Sequence, residues 1–60
     1  MDIIVNMVGG GAIDGRSEFH SMKEVLEFVR GKEVWFTVTS RTGDVSVVNK
    51  NQILYIRKKM

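Results

Sequence analysis

From Glu33 the chain follows a period of two through Val47, interrupted at Arg41-Thr42-Gly43-Asp44, and a second polar junction, Asn49-Lys50-Asn51, leads into a short apolar run that ends at Arg57. Successive side chains of a strand point to opposite faces, so the pattern dictates three consecutive short strands joined by tight connections. Val34, Phe36 and Val38 share one face of the first strand and Trp35, Thr37 and Thr39 the other. Gly43 offers a positive φ at the first turn, after which Val45 and Val47 resume the apolar face. The last strand, Gln52 to Arg57, has Leu54 and Ile56 on one side and Ile53 and Tyr55 on the other. With both faces apolar, one is expected against the core and the other against a helix or a second subunit.

The N-terminal half supplies the rest of a sheet and one helix. Ile3-Ile4-Val5-Asn6-Met7-Val8 reads as a strand with Ile3, Val5 and Met7 on one face, and Gly9-Gly10-Gly11 turns it into a second strand within Ala12–Phe19, weakened or bulged at Gly15. Ser21-Met22-Lys23-Glu24 has the form of a capping box, in which the serine hydroxyl accepts from the third backbone N–H and the glutamate reaches back to the serine's own N–H. Met22, Val25, Leu26 and Val29 then recur on one helical face, and Gly31 stands where a left-handed C-terminal residue is wanted.

The expectation is one α+β, mostly β domain over residues 1–60, in the order ββαβββ: a strongly bent or barrel-like antiparallel sheet with one helix over about 21–30. Its predicted core is Ile3, Val5, Met7, Val25, Leu26, Val29, Val34, Phe36, Val38, Val45, Val47, Leu54 and Ile56.

Sixty residues is close to the lower limit for independent folding, because a chain this short buries only about 60% of the surface its unfolded form exposes. There is no cysteine, so no disulfide adds stability, and one histidine does not build a metal site; no metal and no cofactor are expected. Self-association is the remaining source of stability, and a homo-oligomer joined through Trp35, Ile53 and Tyr55 is expected. The apolar runs are far too short to cross a bilayer, so no membrane partner is expected and the cytoplasm is the default location.

Net charge is +2 but unevenly placed: residues 1–30 hold three basic and five acidic side chains, residues 31–60 six and two. The basic half also carries Trp35, Tyr55, Arg41, Lys50, Arg57 and Lys58, the mixture of aromatic and cationic groups on which single-stranded bases stack. The run Arg57-Lys58-Lys59 has a plainer use, since charge on a terminal strand blunts its edge against aggregation. For catalysis the candidates Asp14, Ser17, His20 and Ser21 lie within eight residues of one another, but Ser21 is committed to capping and nearness in sequence is not triad geometry. No helix begins directly after Gly9-Gly10-Gly11, so those glycines read as a turn rather than a phosphate loop. No enzymatic activity is expected.

Ile13-Asp14-Gly15 and the ending Val48-Asn49-Lys50-Asn51-Gln52-Ile53-Leu54-Tyr55-Ile56-Arg57 together resemble the Sm-like family of small β-barrels. The resemblance implies five short strands closing as a barrel of the SH3 or Sm type, subunits joined edge to edge in rings, and RNA bound at a pocket to which Asn49, Lys50 and Asn51 contribute. The aspartate and asparagine of the family's first signature have no counterpart here, where the helix Ser21–Arg30 stands in their place, and the family's N-terminal helix has none either. The stretch Val45 to Ile56 is also similar to the Val-x-Val-Asn-Lys-x-x-Ile-x-Tyr-Ile ending of a group of small uncharacterised bacterial domains. The expected function is a non-enzymatic interaction or assembly module that self-associates, with RNA or single-stranded nucleic-acid binding as the alternative.

Overall fold

A computed structural model describes residues 1–60. The chain forms β1 (Asp2–Met7), β2 (Ala12–Ser17), α1 (Met22–Arg30), β3 (Trp35–Thr39), β4 (Val45–Asn49), a single 3-10 turn (Lys50–Gln52) and β5 (Ile53–Lys58). The order ββαβββ is the expected one, and the five strands make one antiparallel sheet in the order β4-β3-β2-β1-β5.

The two outermost strands are consecutive in sequence, and this forces the sheet to bend. Laid flat, four steps between strands would separate β4 from β5 by about 19 Å, whereas the 3-10 turn between them advances only about 8 Å. The edges therefore approach each other at that end. There the Lys50 N–H donates to the Val34 carbonyl at 2.9 Å and the Val8 N–H to the Gln52 carbonyl at 2.8 Å, so the turn ties the start of β3 to the end of β1. No ladder joins β4 to β5, and the barrel stays open.

A close crossing lies at Gly15. It faces the core beside Ile3, where a Cβ would collide with the Thr39 carbonyl oxygen and sit 3.0 Å from Val38 Cγ1. Only a residue without a side chain lets β3 cross so close, and β2 and β3 are paired only at Arg16↔Thr39 and Ser17↔Val38.

The core holds Ile3, Val5, Phe19, Val25, Phe36, Val38 and Val48, with Met7, Ile13, Met22, Phe28, Ile53 and Ile56 packed around it. Phe19, Phe28 and Phe36 form a closed aromatic triangle, each pair 5.3 Å apart. Phe19 belongs to this cluster rather than to a strand, because β2 ends at Ser17.

Five residues expected in the core are exposed: Leu26, Val29, Val45, Val47 and Leu54. For β4 the cause is the length of the hairpin loop. Ser40 and Asp44 close a three-residue loop, with Gly43 at φ 90 and its N–H donating to the Ser40 carbonyl. The resulting register pairs Phe36 with Val48 and Val38 with Ser46. A two-residue loop would shift the pairing by one and turn Val45 and Val47 inward; the extra residue buries Val48 in their place.

In β5 the cause is a bulge. Asn6 pairs with Tyr55 and Met7 with Ile53, so Leu54 has no partner in the ladder and the side-chain alternation slips. Ile53 and Ile56 both reach the core, while Leu54 and Tyr55 stay at the surface.

The helix ends also differ in detail from expectation. The Ser21 hydroxyl accepts from the Glu24 N–H as predicted, but Glu24 Oε1 accepts from the N–H of His20, one residue before the cap. Gly31 is not left-handed: its φ is −84 and its N–H donates to the Phe28 carbonyl.

Candidate functional site

The sheet has an inner face, over which α1 and the aromatic triangle pack, and an outer face with no covering element. Along the middle of the outer face runs an open trough of about 630 Å³, lined by Asp2, Asp14, Arg16, Glu18, Thr37, Thr39, Arg41 and Lys59 among others and by no hydrophobic residue. Three acidic side chains meet three basic ones there, and most are already engaged. Lys59 Nζ lies 2.9 Å from Asp14, Arg16 Nε lies 3.6 Å from Asp2, and Glu18 accepts from the Thr37 N–H. A balanced surface of this kind attracts neither an anion nor a cation strongly.

The apolar surfaces lie to the sides. On the outer face of β3 and β4, Trp35, Val45 and Val47 are each about 60% exposed. Trp35 stands opposite Asn49 in the ladder, Val47 opposite Thr37 and Val45 opposite Thr39. Between α1 and β5 runs a groove of about 260 Å³ with eight apolar residues and Lys50 along it, and Leu26, Val29, Leu54 and Tyr55 are its exposed part.

The residues singled out in sequence take different positions. Trp35 and Tyr55 are exposed, and Ile53 is half-buried against the core. Arg41 is at the β3–β4 hairpin tip, whereas Arg57 and Lys58 are on β5 at the other edge, beyond β2 and β1. None of these three forms an ion pair.

The junction Asn49-Lys50-Asn51 is occupied with holding the fold. Asn49 Oδ1 accepts from the Asn51 N–H at 2.8 Å and so caps the 3-10 turn. The Lys50 ammonium donates to the carbonyls of Phe28, Val29 and Gly31, which complete the last turn of α1, and lies 5.4 Å from the centre of the Phe28 ring. A cation at a helix C-terminus is favoured both by the orphan carbonyls and by the helix dipole.

The candidate catalytic serines are likewise engaged. Ser17 is buried, its hydroxyl donating to the Met1 carbonyl and accepting from the Phe19 N–H, while Ser21 caps the helix. No three histidine or carboxylate side chains gather in a cluster that could hold a metal ion, and no helix is long and apolar enough to cross a membrane.

Leu26, Val29, Val45, Val47 and Leu54 are the surface residues that sequence reasoning placed elsewhere. One signal was present: five of the nine residues of α1 are apolar, Met22, Val25, Leu26, Phe28 and Val29, an arc wider than one contact surface needs. No protein-family model matches this chain, and neither a curated protein nor a solved structure matches it.

Proposed function

We propose that this chain is a non-enzymatic assembly module of the cytoplasm, built on a bent sheet of the SH3 or Sm-like kind, that acts as a homo-oligomer. The observation that carries the reading is a count of side chains: nine large hydrophobic residues are exposed, against seven buried in the core. Isolated exposed apolar residues are ordinary, but here seven of the nine, all except Val8 and Met60, fall into two patches, Trp35-Val45-Val47 and Leu26-Val29-Leu54-Tyr55, each beside an unpaired strand edge. A 60-residue chain with so small a core gains most by covering such patches with a second copy.

Single-stranded nucleic-acid binding is the second reading, supported by the exposed indole of Trp35 and the unpaired cations Arg41, Arg57 and Lys58. The engagement of Asn49 and Lys50 in the fold favours assembly over it.

Light-scattering mass across a concentration series, repeated in 1 M salt, and Trp35 fluorescence against a random single-stranded RNA pool separate the two. Assembly predicts a multiple of the chain mass that survives salt, with no RNA response. A monomer whose fluorescence responds to RNA, with affinity falling steeply as salt rises, would replace it with the nucleic-acid reading.

A further inference from the structure

We infer that two copies of this chain join through β4, pairing antiparallel about a two-fold axis at Val47 to make one continuous ten-stranded sheet. The inference rests on the self-association proposed above and names its surface and symmetry.

The backbone of β4 is set up for this pairing. Lys50 N–H donates to Val34 and the Asp44 carbonyl accepts from Ser40, both across to the β3 side. Backbone groups alternate in direction along an antiparallel strand, so Ser46 and Val48 also point to β3, and the N–H and C=O of Val45 and Val47 and the N–H of Asn49 point to the free edge, the Asn49 carbonyl being taken by the 3-10 turn it caps. The strand is symmetric about Val47. A two-fold axis there pairs Val47 with its copy and Val45 with Asn49 of the copy; the Val47 pair exchanges two bonds and each Val45–Asn49 pair one, about four backbone hydrogen bonds. The two-fold also keeps faces matched, outer with outer, and the valines of both copies form one apolar stripe beside Trp35.

Charge separates the two edges of the sheet. β4, Val-Ser-Val-Val-Asn, has no charged residue, no proline and no bulge. β5 carries Arg57 and Lys58 and is bulged at Leu54, both devices that discourage a strand from pairing with another. Two β5 edges brought together in an antiparallel pair would set like charges near one another, whereas two β4 edges meet without repulsion. Pairing through β4 uses up the unprotected edge, and the assembly closes at two copies.

Val47→Lys tests this, because Val47 is 64% exposed and the substitution leaves the fold of one copy intact while placing two ammonium groups across the axis. The wild type is expected to have the mass of a dimer, and V47K to raise its dissociation constant at least about tenfold. Leu54→Lys, in the groove beside α1, should leave the dimer unchanged. Amide exchange at Val47 and Asn49 should slow about tenfold or more between dilute and concentrated wild type. An oligomer that V47K leaves intact and L54K disrupts would overturn the β4 interface but not self-association; a wild type that is monomeric at all concentrations would overturn both.

Discussion

The Nζ of Lys50 stands 2.7 Å from the carbonyl oxygen of Gly31, joining the strand-to-strand junction at β4–β5 to the end of a helix 19 residues earlier. With its further bonds to Phe28 and Val29, this one ammonium holds α1 against the sheet where the helix has lost its own hydrogen-bond partners.

Lys50→Met keeps the aliphatic stem and removes the charge. It is expected to destabilise the chain by about 1–2 kcal/mol in urea unfolding, with faster amide exchange confined to the last turn of α1. A stability unchanged within error would show that the three bonds contribute nothing net.

Gly15→Ala and Gly9→Ala make a matched pair. At Gly15 the added methyl meets the Thr39 backbone, which cannot move without breaking β2–β3 pairing, and a loss of about 3 kcal/mol or more is expected. At Gly9 nothing lies within 4 Å and φ is not positive, so the melting temperature should barely shift. Equal effects at the two sites would remove the case for a glycine-dependent close crossing of β2 and β3.

The hairpin register is checked by Val48→Ala against Leu26→Ala. Val48 is 2% exposed and its truncation should cost about 2 kcal/mol. Leu26, half exposed on a helix that prefers alanine, should change stability by less than about 0.5 kcal/mol. Chemical denaturation of both variants decides the matter, and a costlier Leu26→Ala would place the core where the sequence pattern alone puts it.

Ser21→Ala removes the acceptor for the Glu24 N–H, and a loss of about 1 kcal/mol is expected. Glu24→Gln retains an oxygen for the His20 N–H and should cost less than half as much; circular dichroism melts of the two variants compare them directly.

Much of this fold was legible in the chain because its signals are local. The strand at Trp35–Thr39 announces itself by alternation, and α1 starts at the Ser21 cap and stops at Gly31 without reference to anything distant. The candidate site was less legible. Trp35 and Tyr55, expected at a subunit surface, stand exposed, but the bonds of Asn49 and Lys50 within the fold are invisible in the sequence, which does not show that a helix end waits for an ammonium across 19 residues.

Which elements form, their order, and the glycines at which the chain turns all follow from backbone preference and periodicity over a few residues, and are written in the chain locally. Which apolar faces are covered depends instead on how the strands meet. One extra residue in the Arg41–Gly43 loop reverses every side chain of β4, and one unpaired residue at Leu54 reverses the start of β5. Burial depends on register between strands, and register is settled by the packing of the whole sheet rather than by any strand's own pattern.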